Sequence, residues 1–96
     1  MVVTVLEARV APENIPLLES AFTSAVRKLD PGIVETLLLS DAKDPALWQI
    51  VTLWRDRQAL DAMRSSGQTP RGVLIFREAN AEPSLSVRPV AAHARA

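Results

Sequence analysis

The octapeptide LWQIVTLW (47–54) is apolar on both of its sides, and this property narrows the folds open to the chain. Side chains of a strand alternate between two faces. Trp48, Ile50, Thr52 and Trp54 therefore point one way, and Leu47, Gln49, Val51 and Leu53 the other. An antiparallel sheet with one wet face shows apolar and polar residues in turn. This segment does not, so it needs cover on both sides. Two other segments behave alike. In VVTVLEARV (2–10), Thr4, Leu6, Ala8 and Val10 oppose Val3, Val5, Glu7 and Arg9. In IVETLLLS (33–40), Ile33, Leu37 and Leu39 oppose Val34, Thr36 and Leu38.

The remaining segments decide what cover is available. After the first strand, APEN forms a turn with Asn14 as the expected N-cap, and Pro16 suits a first helical turn because its missing N–H has no partner there. Apolar residues at 15, 18, 22, 25, 26 and 29 follow helical spacing, and Asp30-Pro31-Gly32 stops that helix. The strands 33–40 and 46–54 join through the polar turn DAKDP as a hairpin. Asp56 caps a second helix with Ala59, Leu60 and Met63 on its buried side, and SSG ends it. The run VLIF in TPRGVLIFREANA suits a strand, but Thr69-Pro70 suits a cap and first helical residue, and we read a short helix. PSLSVRPVA is a last strand, placed at a sheet edge or bulge because Pro89 cannot donate a ladder hydrogen bond.

The order βαββαβ is the split βαβ of ferredoxin-like α+β folds: a four-stranded antiparallel sheet with helices on one face. Two helices cannot cover both faces. The uncovered apolar face points to an interface, and the simplest closure is a two-fold homodimer packed sheet to sheet, with room for a cavity between. The alternative is a monomer whose tail folds back, but residues 91–96 are small and polar. We expect one domain over residues 1–91 and a tail over 92–96.

The chain has 96 residues, with 11 Lys and Arg against 11 Asp and Glu. That balance argues against nucleic-acid and membrane-surface binding, which draw on excess positive charge. No apolar run is long enough to span a bilayer, and the start MVVTVLEARV lacks the features of a signal peptide. With no cysteine, a cytoplasmic setting is expected. There is no tyrosine, and the single histidine, His93, lies in the terminal AAHARA. A histidine base, a histidine-held metal and a Ser-His-Asp triad are thereby disfavoured. We expect neither metal nor cofactor.

Several features together give a likeness to a known family. They are the opening strand followed by VAPEN, the PGI after the first helix, the hairpin strands, LWRDRQALDAM, and EPSL before the last strand. Over about residues 3–91 the chain resembles the antibiotic biosynthesis monooxygenase-type domains, which are dimeric α+β barrels. The resemblance implies a barrel of two ferredoxin-like units with a pocket between helices and sheet or inside the barrel. It also implies activities such as cofactor-independent oxygenation of aromatic polyketides, haem degradation or lactone isomerisation. The haem-degrading branch carries an Asn, a Trp and a His where this chain has Ala8, Met63 and Val73, which counts against haem degradation. The family's helical histidine pattern is absent too, with Met63 and Gln68 in its place.

Within that frame, Trp54 and Arg71 are the candidate catalytic residues. Trp54 can stack on a planar ligand and offer its N–H, or be ordinary core at a strand–helix corner. Arg71 and Arg77 lie in the segment that borders the pocket in this family, where Arg71 is our choice as oxyanion partner. Thr4, Leu6, Ala8, Ile50, Thr52, Met63 and Phe76 are the expected substrate-binding wall. Trp48 is expected at the interface or wall. Glu7 and Arg9 share a face and are expected to pair with each other or with Arg55; a buried Glu7 would be a possible base.

Two functions fit. The first is a cofactor-free monooxygenase or isomerase acting on a small aromatic or polyketide-like substrate, whose own carbanion reduces oxygen. The second is a non-catalytic dimer that binds a small ligand or a partner.

Overall fold

Short polar devices set the turns of the chain. In the computed structural model, which describes all 96 residues, the elements are β1 (Val2–Arg9), a 3-10 turn (Pro12–Asn14), α1 (Ile15–Ala25), β2 (Ile33–Ser40), β3 (Leu47–Trp54), α2 (Arg57–Arg64), α3 (Arg71–Glu78) and β4 (Ser84–Pro89). Asp56 caps α2, accepting the Ala59 N–H at 2.8 Å. The hairpin turn is built by two aspartates. Asp41 accepts the amides of Lys43 and Asp44 at 3.0 and 2.8 Å, and Asp44 accepts that of Ala46 at 3.1 Å, side-chain mimics of a backbone turn. At the end of α3, Asn80 takes the left-handed conformation at φ 57°. There the amides of Ala81 and Asn80 donate to Phe76 and Arg77 carbonyls, a Schellman closure that an asparagine tolerates.

The four strands form one antiparallel sheet in the order β2-β3-β1-β4. This is the ferredoxin-like arrangement expected from the element order, with α3 as an additional short helix rather than a strand. Pro89 ends the edge strand β4 opposite Val2. Three expectations are corrected. Asn14 makes no side-chain cap, because the 3-10 turn already leads the chain into α1. The first helix stops at Ala25, and residues 26–28 continue only as turns. Pro70 caps α3 rather than starting it, with an extended backbone at ψ 142°.

A bulge resolves the two faces of the sheet. Ile33 pairs with Trp54, but Glu35 already pairs with Leu53, so β2 carries one extra residue at Val34. Such an insertion reverses side-chain parity. Ile33 therefore lies on the side of Thr36 and Leu38, not with Leu37 and Leu39 as strict alternation had it. The side of Trp54 is the helix-covered one, and the helix-side residues Val2, Thr4, Leu6, Ala8, Ile50, Thr52 and Trp54 are all buried. The other side has no cover. Val3, Val5, Val51 and Leu53 are half-buried there by their neighbours, while Leu37 and Leu39 are 45% and 40% exposed.

Under the helices the core falls into two clusters. One gathers Leu6, Ala8, Val10, Leu18, Ile50, Ile75, Phe76, Ala79 and Ala81; the other gathers Val2, Trp54 and Leu60, with Ile33, Ala59, Met63 and Val87 against it. The gap between them positions the site.

Candidate functional site

Cross-strand register explains where the gap lies. On the helix side, Ile33, Trp54 and Val2 form one row, and Leu38, Ile50 and Leu6 form another. Between them runs a row of three threonines, Thr36, Thr52 and Thr4, on three adjacent strands. Hydroxyls do not merge two apolar clusters as aliphatic side chains would. Above them is a cavity of about 160 Å³.

The sheet supplies its floor: Thr4, Leu6, Ile50, Thr52, Trp54, Ile33, Thr36 and Leu85. Phe22, Ala25, Val26 and Leu29, from α1 and the turn after it, close one side, ending in Asp30. Leu60, Met63 and Arg64 enter from α2. Pro70, Arg71, Gly72, Val73 and Ile75 come from α3 and its start, with Pro83 before β4. Gly72 lets the helix approach the floor closely, since a Cβ at this position would stand 2.5 Å from Leu6 Cδ1 and push the end of that side chain aside. Asp30, Met63, Pro70 and Arg71 also face a wider polar groove beside α2, which makes them the mouth of the cavity.

The polar atoms are specifically arranged. Trp54, 3% exposed, donates its indole N–H to Thr4 Oγ1 at 3.1 Å. The hydroxyls of Thr36 and Thr52 bond to each other at 3.0 Å. Arg71 Nη1 donates to the carbonyls of Lys28 and Ala25, and Arg71 Nε lies 3.5 Å from Asp30 Oδ1. Arg71 thus ties down the turn that follows α1, adding a second donor to the Ala25 carbonyl that the Lys28 amide already meets, and holds Asp30 at the mouth. Asp30 is the one acidic side chain on the wall, and Arg64 is the arginine on it with no ion-pair partner.

Of the residues expected from sequence, the structure brings Thr4, Leu6, Ile50, Thr52, Trp54, Met63 and Arg71 together on one cavity. Ala8 and Phe76 are corrections: they do not line it. Ala8 lies one row beyond Leu6, opposite Trp48, and Phe76 is fully buried in the larger core cluster. Trp54 has no free N–H for a ligand, because Thr4 takes it, and presents only its ring. Trp48 lies on the helix side, off the open face, with its N–H on the Pro45 carbonyl at 3.2 Å. Arg77 is bound to Glu82 at 2.8 Å away from the cavity. Glu7 faces the open side and accepts from Gln49 at 2.8 Å, while Arg9 pairs with Asp44 at 2.7 Å and Arg55 with Asp56. Neither Glu7 nor His93 reaches the site.

Sequence reasoning missed Asp30, Thr36 and Arg64. Asp30 was visible only as a helix stop. Thr36 joins Thr52 and Thr4 through the hairpin register that sets it opposite Thr52, a pairing that strand alternation alone does not fix.

Away from the cavity, neighbouring groups lower the pKa of three carboxylates. The Ala59 amide, aided by Arg55, holds the Asp56 carboxyl below its ordinary value. Arg9 does the same for Asp44, and Arg77 for Glu82.

Comparison with known proteins bears on this arrangement. The family model described as antibiotic biosynthesis monooxygenase matches residues 1–72. No curated protein matches the sequence. Among solved structures, a protein from Deinococcus radiodurans assigned as an antibiotic biosynthesis monooxygenase superposes with a TM-score of 0.75 at 14% identity, over 100% of this chain and 98% of its own. A point mutant of SnoaB, a cofactor-independent oxygenase from Streptomyces nogalater, gives 0.71 at 17% identity, over 96% and 94%. MhuD, a heme-degrader from Mycobacterium tuberculosis with two hemes in its active site, gives 0.70 at 22% identity, over 99% and 100%. At these identities the likeness to the solved structures shows the fold alone.

Proposed function

The chain belongs to the antibiotic biosynthesis monooxygenase family, and we propose that it is a cofactor-independent monooxygenase acting on a small aromatic substrate in the cavity between helices and sheet. The observation that supports this most is Asp30: a single carboxylate at the rim of an otherwise largely apolar cavity, held beside Arg71. It supplies the proton acceptor that no His, Tyr or Cys provides.

The chemistry balances with molecular oxygen as the only co-reactant. An acidic C–H of the substrate gives its proton to Asp30, and the electron pair remains on the ring system as an enolate. One electron passes to O2, and the resulting radical pair joins in a new C–O bond. The hydroperoxide then loses water, with Asp30 returning the proton, so that CH2 plus O2 becomes C=O plus H2O. The protein's part is to exclude water, stack the ring on Trp54 and stabilise negative charge. Arg71 positions Asp30, and the unpaired Arg64 is the cation left to meet an anionic substrate.

A haem does not fit these residues. The only histidine, His93, lies beyond β4, and about 160 Å³ is room for roughly one benzene-sized ring. The open apolar face of the sheet, with Leu37, Leu39, Val51 and Leu53, supports a homodimer packed sheet to sheet, which leaves the helix-side cavities outward. The absence of cysteine is in keeping with a cytoplasmic setting, and no helix is long and apolar enough to cross a membrane.

Oxygen uptake with a panel of single-ring phenols and β-dicarbonyl arenes tests the reading. Uptake that falls about 100-fold or more in Asp30→Asn, with the fold retained, supports Asp30 as proton acceptor. Binding of the panel with no uptake by the wild type overturns the enzyme and leaves a ligand-binding dimer.

A further inference from the structure

The threonine row carries more hydrogen-bond donors than the protein uses. Thr4 Oγ1 accepts from Trp54, and its own hydroxyl hydrogen has no protein acceptor. Thr36 and Thr52 share one hydrogen bond, so one of their two hydrogens is also left over. Thr4 and Thr52 are each only 9% exposed, and Thr4, Thr36 and Thr52 all line the cavity. Two hydroxyl donors are therefore left without a protein acceptor, on residues that line a space walled also by Leu6, Ile50, Trp54 and Leu60. Thr favours strands for its shape alone, but that preference does not call for three of them in one row, on the covered face, between two apolar clusters.

We propose that this row is an oxyanion site: Thr4 and the Thr36–Thr52 pair bind the carbonyl oxygen of a single-ring aryl ketone, and hold the negative charge that oxygen acquires when the adjacent carbon loses its proton. The inference rests on the oxygenase reading for the second half of that sentence and deepens it by naming the substrate class. Chemically, the floor is rich in donors, whereas the one acceptor with full charge, Asp30, is at the mouth. A carbonyl on the floor and a C–H acid beside it match that polarity. Donors already in place where charge develops stabilise the enolate more than the ketone, which is the differential binding catalysis requires. Size sets the rest. A dry apolar cavity of about 150 Å³ takes one benzene, and this one measures about 160 Å³. One ring lies over the row, and further substituents extend through the mouth into the polar groove.

Equilibrium binding to the full chain tests this without any turnover. The probes are acetophenone, α-methylstyrene, in which a CH2 replaces the carbonyl oxygen, and 1-acetylnaphthalene, which adds a ring beside the acetyl group. Acetophenone is expected to bind more tightly than α-methylstyrene. In Thr36→Val/Thr52→Val its affinity drops about 3- to 10-fold, while that of α-methylstyrene holds or rises, since each hydrogen bond is worth about 0.5–1.5 kcal/mol. By apolar area 1-acetylnaphthalene would win, but here it is expected to bind at least about 10-fold more weakly than acetophenone because the cavity has room for roughly one ring. Equal loss for both single-ring probes in the double variant means a structural role and overturns the proposal, as does tighter binding of the naphthalene.

Should the double variant fail to fold, infrared spectroscopy of the wild-type complex decides. The bound acetophenone carbonyl stretch is expected below its position in hydrocarbon solvent, and an unshifted band overturns the site. These readouts separate the two ideas. Carbonyl-selective binding with no oxygen uptake by any substrate supports the threonine site and defeats the oxygenase, and oxygen uptake without carbonyl selectivity does the reverse.

Discussion

Trp54 on β3 donates its indole N–H to Thr4 on β1 at 3.1 Å, between two buried side chains 50 residues apart in sequence. The bond runs diagonally, since Trp54 stands opposite Val2 and Thr4 opposite Thr52. It ties the smaller core cluster to the threonine row and fixes the indole as a wall of the cavity. Thr4→Val leaves a buried N–H without an acceptor, at an expected cost of about 1–3 kcal/mol. Trp54→Phe costs a similar amount, and the double variant costs less than the sum by about 1 kcal/mol. Urea unfolding of the four proteins measures this; strict additivity would show that the bond contributes nothing.

A second prediction concerns the turn that ends in Gly32. Its φ is +88°, its carbonyl accepts the Arg55 amide at 2.8 Å, and a Cβ there would fall 2.3 Å from Ala59 Cβ. The turn before β2, the end of β3 and the first turn of α2 thus meet at a residue that cannot carry a side chain. Gly32→Ala is expected to destabilise by about 2–4 kcal/mol, combining left-handed strain with overpacking. A thermal midpoint within a degree of wild type would contradict it.

Acid stability follows from three carboxylates. Asp56, Asp44 and Glu82 are held below their ordinary pKa by the Ala59 amide, Arg9 and Arg77 respectively. The unfolded chain therefore binds protons more readily than the folded one. Their contribution is complete above the ordinary carboxylate range and is lost progressively as pH falls through that range and then through the lowered folded values. All three are at the surface, so salt weakens the effect. Asp56→Asn keeps a good N-cap but cannot ionise, and is expected to flatten the acid slope of the thermal midpoint while leaving the helix formed. An unchanged slope would refute the assignment.

The element order, the edge position of Pro89, the cap at Asp56 and the shared face of Thr4, Thr52 and Trp54 were all readable from sequence, because each depends on neighbours within a few residues or on strand parity. Which face held the cavity was not. That depends on which face the helices cover and where they leave a gap between two core clusters; the bulge at Val34 only adds Ile33 to that side. Asp30 was legible as a helix stop but not as a cavity carboxylate, since its place is set by Arg71, 41 positions later in the chain and bound to the end of α1. Phe76 had the right chemistry for a pocket wall and was taken by the core instead.

The open sheet face carries a prediction of its own. Leu37→Lys together with Val51→Glu places charges on two residues that face each other across β2 and β3 on the uncovered side. Sedimentation is expected to show two chains for the wild type and one for the variant, with acetophenone binding retained because the cavity is on the opposite side. A wild-type protein that sediments as a single 10.5 kDa chain at micromolar concentration would contradict the dimer.

Isotope labelling decides whether this cavity performs oxygen chemistry with no added cofactor. Wild-type protein is given the best substrate from the single-ring panel under 18O2, with no metal, flavin or haem supplied. One labelled oxygen atom is expected in each product molecule and the other in water, with both signals lost in Asp30→Asn. Product without label, or labelling unaffected by Asp30→Asn, would contradict it.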